Sequence, residues 1–470
     1  MGLILTTFPE RTFMSTLRQN TQSLCPVCLA RIPAQRVMRD ERVYIEKTCP
    51  DHGPFSVRVW DGEPAFTSWQ RPKIPTHPAH PGHAVEKGCP FDCGLCPEHR
   101  QRSCTIILEV TQRCNLGCPV CYADSTAEAD DDPSLSTIKG WFDAAAQAGP
   151  GSNIQLSGGE PTLRDDLPQI VAMGRQAGFE FIQVNTNGLR LASDEPFVSD
   201  LKDAGLSSIF LQFDGTDDAV YEKLRGRPLM AQKQAVIECC GRHGIGVVLV
   251  PTLVPGVNDQ DIGNLMKLAV AHVPVVRSIH FQPVSYFGRF FHPPADADRI
   301  TLPQLMRLIE DQTDGAFRAS DFSPPGCENS LCSFSASYMV MPDGSVKSVG
   351  RSGGTCCAKP IQAEVGAANA IAYVARQWRA PQSCCEPSSP LAPAGDSTGS
   401  DAMDLDMFIQ RARTHMLSVS SMAFQDVWNL DLERVRDCCI HVMAPDRRLV
   451  PFCLYNLTSS EGRRLYRQNG

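Results

Sequence analysis

The sequence predicts an α/β fold: a parallel sheet of six strand–helix units, shaped as a partial (β/α)6 barrel, lies between two cysteine-rich flanking regions. First, short apolar runs alternate with helical patterns between residues 105 and 282, as in parallel strands joined by right-handed crossovers. Second, polar motifs directly follow the strands, where parallel barrels place their active sites. Third, most of the 21 cysteines fall into short groups around this region.

The composition favours a metal-dependent protein. A net charge of −8 gives no basic footprint for nucleic acid. No apolar run approaches the roughly 20 residues that span a bilayer, so no transmembrane segment is predicted, while contact with a membrane surface stays open. Residues 1–23 lack a secretory leader pattern, and a cytoplasmic chain is therefore expected. In such a chain, cysteines serve metal sites more often than disulfides.

Residues 1–60 are predicted to form a small metal-binding module. Cys25 and Cys28 form one pair of ligands, and Cys49 and His52 form a second pair after a strand at residues 42–47. Two such pairs about twenty residues apart predict one tetrahedral ion. The spacing does not distinguish iron from zinc, and a purely structural zinc ribbon is an equally good interpretation.

Residues 61–102 are predicted to contain a connecting loop and a first auxiliary cluster motif. Cys89, Cys93 and Cys96 lie close together, and Cys104 follows eight residues later. Four thiolates can close a four-iron–four-sulfur cluster completely. Alternatively, Cys104 only begins the next strand, and three ligands remain.

The α/β region is expected at residues 103–315. Strands are predicted at residues 105–110, 154–156, 181–184, 209–213, 247–253 and 278–282, and helices at 135–148, 166–177, 197–204, 228–243, 259–272 and 301–315. Cys239 and Cys240 lie within one of these helices and are interpreted as thiols without a metal.

A cysteine-rich loop, residues 114–122, follows the first of these strands. Cys114, Cys118 and Cys121 provide three thiolates, which can hold three irons of a four-iron–four-sulfur cluster and leave one iron open. A zinc knot would instead offer four ligands in two pairs. Later strand ends carry Gly158-Gly159-Glu160, Asn187 and Asp214. Each of these is a common turn sequence alone, but their order and placement make the joint pattern specific.

Residues 316–470 are predicted to hold a second auxiliary cluster. Its ligands are predicted to be Cys327, Cys332, Cys439 and Cys453, with Cys438 as an alternative to Cys439. A hairpin is expected at residues 338–344 and a helix at 405–416. Residues 384–401 are rich in Pro, Ser, Gly and Ala and resemble a lid or an insertion. No role is assigned to the vicinal pairs Cys356/Cys357 and Cys384/Cys385.

These motifs resemble the radical S-adenosylmethionine (radical SAM) superfamily, and within it a subgroup that contains archaeal tetraether lipid synthase and dihydropterin methyltransferases. The resemblance implies a rubredoxin-like mononuclear iron, a SAM-binding cluster and two auxiliary four-iron–four-sulfur clusters, three clusters in all. It places Gly158, Gly159 and Glu160 at the methionine end of SAM, Tyr122 at the adenine, and Asn187 and Asp214 at ribose or substrate. Pro445-Asp446-Arg447 and residues 384–401 depart from the subgroup.

By this resemblance, one electron from a donor such as flavodoxin or ferredoxin cleaves SAM, and the 5′-deoxyadenosyl radical takes hydrogen from an unactivated carbon. The leading hypothesis is carbon–carbon coupling of lipid alkyl chains. Methyl transfer to a dihydropterin-like molecule and sulfur transfer are alternatives, and an iron–sulfur electron carrier is the non-enzymatic one. An apolar tunnel would favour lipid, and a polar pocket would favour a pterin.

Overall fold

A computed structural model of the chain describes residues 18–78, 84–128, 132–350, 360–381 and 405–467. The two unassigned vicinal cysteine pairs and the predicted insertion at residues 384–401 lie outside the described residues. Among the described helices, none combines the length and the apolar character that crossing a bilayer requires.

The N-terminal strands form a separate antiparallel sheet of four strands in the order β1-β2-β3-β4. These are β1 (Arg18–Leu24), β2 (Arg31–Arg39), β3 (Arg42–Cys49) and β4 (Gly53–Asp61), and a short helix, α1 (Phe66–Trp69), follows. Along β3, buried and more exposed residues alternate, as expected for a strand with one face on a core. The predicted strand at residues 42–47 lies within β3.

A second sheet of twelve strands organises the rest of the chain. Its elements are β5 (Thr105–Thr111), α2 (Leu135–Ala148), β6 (Asn153–Gly158), α3 (Leu167–Gln176), β7 (Ile182–Thr186), α4 (Glu195–Asp203), β8 (Ser208–Gln212), α5 (Asp218–Arg225), α6 (Met230–Arg242), β9 (Gly246–Val250), β10 (Thr252–Leu253), α7 (Ile262–Ala271), β11 (Val276–Pro283), α8 (Leu302–Gln312), β12 (Ser333–Val340), β13 (Val346–Ser348), α9 (Ala363–Gln377), α10 (Leu405–Thr414), β14 (Met416–Met422), α11 (Leu432–Arg436), β15 (Ile440–Met443), β16 (Leu449–Pro451) and α12 (Phe452–Tyr455). Short 3₁₀ turns lie at Pro161–Leu163, Asp296–Asp298 and Ala319–Asp321.

The six predicted strands are neighbours in this sheet and run parallel, in the order β5-β6-β7-β8-β9-β11. Their central residues, such as Leu108, Leu156 and Leu249, are fully buried because helices cover the sheet. The sheet thus presents the carboxyl ends of its strands, with the polar motifs, along one edge. That the strands curve into a partial barrel stays a prediction.

The structure differs from the predicted elements in three places. Pro251 interrupts the predicted fifth strand, which becomes β9 and β10. A helix that was not predicted, α5, precedes α6. Two strands from the predicted C-terminal domain extend the sheet in parallel, β14 beside β11 and β15 beside β5. The predicted boundary at residue 315 therefore does not separate two sheets.

The C-terminal tail returns to the first strand of the sheet. Arg467 and Glu109 form a buried ion pair in which each side chain is about 5% exposed. Nη1 of Arg467 lies 3.0 Å from Oε2 of Glu109. The guanidinium also donates to Oδ1 of Asn456 over 2.7 Å and lies 4.9 Å from the ring centroid of Tyr455. This pair fixes the tail beside β5.

We expect Arg467→Ala to lower the free energy of unfolding by about 3–5 kcal/mol, because it leaves the buried Glu109 carboxylate without its partner. Urea denaturation of the anaerobic protein would measure the loss. Arg463→Ala is the matched control, since Arg463 pairs with Glu461 on the exposed surface, and its cost should stay below about 1 kcal/mol. Equal effects of the two substitutions would contradict the assigned role.

Candidate metal and cofactor site

The four predicted ligands of the N-terminal module lie together. The ligand atoms of Cys25, Cys28, Cys49 and His52 are all within 4.8 Å of one another. Sγ of Cys25 lies 3.7 Å from Nδ1 of His52, and the sulfurs of Cys28 and Cys49 are 3.9 Å apart. A tetrahedral ion with bonds of about 2.3 Å separates its ligands by about 3.8 Å. The geometry therefore fits one tetrahedral metal ion.

The loop after β5 carries Cys114, Cys118 and Cys121. Their three sulfurs are not all within 4.8 Å of one another, unlike the ligands of the N-terminal module, so this arrangement suits a multi-iron centre better than one ion. Burial raises the pKa of Cys114 to about 12 and also raises that of Cys118. Because uncompensated thiolates are unfavourable there, bound cations would supply the missing positive charge.

Gly158 and Gly159 hold the next strand end against this loop. Gly158 has φ +128°, and a Cβ there would lie 1.9 Å from the carbonyl oxygen of Thr111. A Cβ at Gly159 would lie 2.2 Å from the carbonyl oxygen of Arg113. The N–H of Gly159 donates to Thr111 over 2.9 Å. Side chains at both positions would thus meet the protein backbone, so the glycines serve the fit between two chain segments.

The Glu160 carboxylate joins two strand ends. It accepts from the N–H and the hydroxyl of Thr162 over 3.1 and 2.6 Å, from the hydroxyl of Thr186 over 2.6 Å, and from the N–H of Asn187 over 2.7 Å. Its residue is 1% exposed. Asn187 in turn donates from Nδ2 to Oδ1 of Asn115, inside the cysteine loop, over 2.8 Å. Glu160 and Asn187 therefore connect β6, β7 and the cysteine loop.

Asp214 is fully buried and paired with Arg225, whose Nε and Nη2 lie 2.7 and 2.8 Å from its two oxygens. Nη1 of Arg225 donates to the carbonyl oxygen of Val120 over 3.3 Å, and the guanidinium interacts with the Cys118 thiol. The resemblance placed Asp214 at ribose or substrate, whereas its carboxylate here is bound by Arg225. The sequence analysis did not predict α5 and therefore did not single out Arg225. Asp217, which caps the N-terminus of α5, is the sequence signal that could have indicated this helix.

Tyr122 extends from the cysteine loop towards β6. Its hydroxyl lies 2.9 Å from Oγ of Ser157, and its ring centroid lies 5.5 Å from that of Phe452. Phe452 opens the last short helix, so the loop also contacts the C-terminal region.

The remaining cysteines group differently from the sequence prediction. Cys89, Cys93 and Cys96 interact with one another. Cys104 does not join them; its sulfur lies with those of Cys327 and Cys439, all within 4.8 Å.

The predicted set of Cys327, Cys332, Cys439 and Cys453 is likewise divided. Cys332 and Cys453 interact with each other and with Cys438, and neither is in the sulfur group of Cys104. Nη2 of Arg434 lies 3.2 Å from Sγ of Cys332. Cys104 and Cys439 come from segments that are far apart in sequence and are brought together by the pairing of β5 with β15. The spacing of cysteines along the chain does not show which strands pair.

A cavity of about 1060 Å³ connects the two cysteine sites. Cys114, Cys118 and Cys121 line one part of it, and Cys104 and Cys439 line another. Amide side chains from two parallel strands, Gln155, Gln183 and Asn185, form a row on its wall. Nε2 of Gln155 donates to Oε1 of Gln183 over 2.8 Å. Oδ1 of Asn185 is buried and has no partner among the described residues, so it is available to a ligand.

Aromatic side chains line the cavity beside this amide row. The ring centroid of Phe210 lies 5.6 Å from that of His280 and 5.9 Å from that of Trp378. A ring nitrogen of His280, Nδ1, lies 2.8 Å from Oγ of Ser420. Burial lowers the pKa of His280 to about 4, so its imidazole is neutral at physiological pH. Aromatic faces beside amides suit a planar, polar heterocycle.

Comparisons with known proteins show what this chain is similar to. Residues 108–269 match the radical SAM superfamily, and residues 17–61 match a family described as an HMPTM N-terminal zinc ribbon domain. The 7,8-dihydro-6-hydroxymethylpterin dimethyltransferase of Methanocaldococcus jannaschii is 35% identical over 94% of this chain and 94% of its own. A probable GTP 3′,8-cyclase of Methanothermobacter marburgensis is 31% identical over 36% of this chain and 54% of its own. The crystal structure of Streptococcus suis SuiB bound to the precursor peptide SuiA covers 46% of each chain at 15% identity, with a TM-score of 0.38.

The neutral His280 should make the protein less stable in acid. Its pKa is lowered to about 4 in the fold, from 6.5 in an unfolded chain. Between these values the unfolded chain binds the extra proton, so stability falls as the pH drops from about 6.5 to about 4, by about 3 kcal/mol in total. We expect His280→Asn to remove this part of the acid dependence.

Free energies of unfolding for the two proteins at pH 4.5 to 8, with metal content checked at each pH, would measure the effect. Parallel pH profiles would contradict it.

Proposed function

From the premise that this chain belongs to the radical SAM superfamily, we propose that it is a methyltransferase whose substrate is a reduced pterin of the 7,8-dihydro-6-hydroxymethylpterin type. The relative that is 35% identical over nearly the whole chain bears that activity in its name. One observation carries the proposal for this chain: the amide row and the aromatic side chains share a cavity with Cys114, Cys118 and Cys121.

The cavity wall suits a pterin better than a lipid chain. A pterin ring carries hydrogen-bond donors and acceptors along its edge, and the amides of Gln155, Gln183 and Asn185 offer both. Its flat face can pack on Phe210 or Trp378. A hydrocarbon chain would leave the buried oxygen of Asn185 without a partner, at a cost of about 1–3 kcal/mol. The observations therefore favour methylation of a pterin over carbon–carbon coupling of lipid chains, which was the leading hypothesis from the sequence.

The proposed cofactors are SAM and a four-iron–four-sulfur cluster on Cys114, Cys118 and Cys121. When bound, they supply a 5′-deoxyadenosyl radical, with an electron from a flavodoxin or ferredoxin. The segment Gly158, Gly159 and Glu160, which lines the cavity, would hold the methionine end of SAM, and Tyr122 would lie towards the adenine. The carboxylates of Glu160 and Asp214 act by positioning loops, since other groups of the chain already bind them.

Further metal sites belong to the same proposal. Zinc, for which the matching ribbon family is named, is the proposed ion of Cys25, Cys28, Cys49 and His52. Two auxiliary clusters are also proposed, with ligands among the cysteines outside α6: Cys89, Cys93, Cys96, Cys104, Cys327, Cys332, Cys438, Cys439 and Cys453.

Anaerobically reconstituted protein should cleave SAM to 5′-deoxyadenosine when dithionite is added, and Cys118→Ala should abolish the product because one iron loses its ligand. Chromatography of the quenched reaction measures this. Cys239→Ala is a matched control, since that thiol lies in α6 away from the cavity lining. Absence of product from a fully iron-loaded protein would contradict the proposed activity.

Asn185→Leu should weaken binding of 7,8-dihydro-6-hydroxymethylpterin by about tenfold, or about 1.4 kcal/mol, because it removes the buried Oδ1 that has no partner among the described residues and is available to the ring edge. Anaerobic equilibrium dialysis measures the dissociation constant. Asn264→Leu makes the same change on the exposed face of α7 and should bind as the unaltered chain does. Equal affinities for all three proteins would contradict the proposed pterin site.

A further inference from the structure

Three arginine side chains line the cavity where two helices end: Arg277 of β11, Arg376 of α9 and Arg413 of α10. Arg277 brings the other two together, because it binds the residue that follows each of them. Its Nε donates to the carbonyl oxygen of Gln377 over 3.0 Å, and its Nη1 donates to that of Thr414 over 2.6 Å. The ends of α9 and α10 therefore meet at one guanidinium, with a further arginine from each helix beside it.

This junction lies next to the aromatic side chains of the cavity. Trp378 directly follows Gln377, and its ring centroid lies 5.9 Å from that of Phe210 and 6.0 Å from that of His280. The cavity volume of about 1060 Å³ is at the upper end for ligand pockets, which commonly enclose about 300–1,000 Å³. A ring packed on Phe210 or Trp378 therefore leaves room for a substituent that extends towards the arginines.

The guanidinium of Arg277 is held in place by its two hydrogen bonds. Its residue is 2% exposed, and the carbonyls that it binds belong to the last residues of α9 and α10, where the helix dipole favours a positive charge. Among the described residues, its third nitrogen, Nη2, has no hydrogen-bond partner. Burial lowers the pKa of Arg277 to about 10, so the group is still charged at physiological pH. A fixed cationic donor is thus available to a ligand.

Within the described part of the chain, no carboxylate pairs with this group of arginines. The side chains of Arg376 and Arg413 are exposed and form no hydrogen bond or ion pair with another described residue. Burial, together with the positive charges of Arg411 and Arg277, lowers the pKa of His415 nearby. The local field is therefore positive, and positive charge concentrated in a cleft attracts an anionic ligand.

We propose that Arg277, Arg376 and Arg413 form a binding subsite for a phosphate group of the substrate. A guanidinium offers paired N–H donors that match two oxygens of a phosphate, and several guanidinium groups suit its multiple negative charges. With the proposed function, the substrate is then a phosphate or diphosphate ester of the hydroxymethyl group rather than the free alcohol. The inference rests on the proposed function for the pterin ring only, because the arginines alone define the subsite.

Anaerobic isothermal titration calorimetry on the full reconstituted chain tests the subsite, with SAM in excess and no reductant, so that no turnover occurs. Three probes are compared: 7,8-dihydro-6-hydroxymethylpterin, its diphosphate ester and inorganic diphosphate. The ester should bind at least about tenfold more tightly than the free alcohol, as expected for hydrogen bonds to charged groups. Arg376→Gln and Arg413→Gln should each remove most of this gain and leave the affinity for the free alcohol unchanged.

Arg227→Gln is the matched control, since Arg227 is exposed and lies outside the cavity lining. It should keep the parent affinity for the ester. Arg277→Lys keeps the charge but loses the paired donors, so it should also bind the ester more weakly. Because Arg277 also holds two helix ends, the variants of the exposed Arg376 and Arg413 decide the test if Arg277→Lys does not fold.

Two results would overturn the subsite. The first is a parent protein that binds the ester no more tightly than the free alcohol and does not bind inorganic diphosphate. The second is an affinity for the ester that neither Arg376→Gln nor Arg413→Gln lowers. Failure of the proposed function gives a different result: the free alcohol does not bind, and the ester binds only as tightly as inorganic diphosphate. If both of these affinities still depend on Arg376 and Arg413, the subsite is supported without the pterin.

Discussion

The cysteine loop depends on a contact between two backbones. Gly158 and Gly159 lie against the chain between Thr111 and Arg113, at distances that no Cβ would tolerate. Two N–H groups of the glycine segment complete the contact, the second from Glu160 to the carbonyl oxygen of Arg113 over 2.8 Å. Because Cys114 directly follows Arg113, the contact with the end of β6 fixes the position of Cys114, the first cysteine of the loop. The glycine–glycine–glutamate sequence is thus a joint between strands as well as a candidate cofactor-binding segment.

Buried charges hold the other components around this joint. The ion pair of Arg225 with Asp214 fixes the cysteine loop beside the end of β8. A second ion pair joins Arg299, in the segment after β11, to Asp426, in the segment after β14. The two nitrogens of Arg299 lie 2.8 and 2.9 Å from the carboxylate oxygens. The N-terminal sheet docks on the same region, since Nε of Arg36 lies 2.6 Å from Oδ2 of Asp431 and the hydroxyl of Thr21 donates to the same carboxylate over 2.6 Å. Each pair satisfies groups that would be costly to bury alone. Charge pairing thereby sets how the flanking regions meet the α/β sheet.

The sequence was sufficient for features that depend on neighbours along the chain. Apolar periodicity located the six central strands, and paired spacing grouped Cys25, Cys28, Cys49 and His52, whose side chains lie together in the structure. It was not sufficient where distant segments meet. Strand β14 begins at Met416 and lies beside β11, but its pattern of Ser and apolar residues does not indicate which strand it pairs with. Cys104 was grouped with Cys96 because they are close in sequence, whereas strand pairing places it beside Cys439. The roles of the site residues in binding cofactors stay predictions.

The pairing of β5 with β15 has a consequence for biosynthesis. Cys104 and Cys439 are far apart in sequence, and β15 can pair with β5 only after the ribosome has made residues 440–443. The group of three sulfurs therefore cannot form before Cys439 has been made, whereas the N-terminal sheet, which ends at Asp61, can form much earlier. Long-range pairing of this kind also forms slowly. Any metal insertion that needs all three sulfurs must accordingly follow the synthesis of Cys439, in an order of assembly that the strand topology imposes.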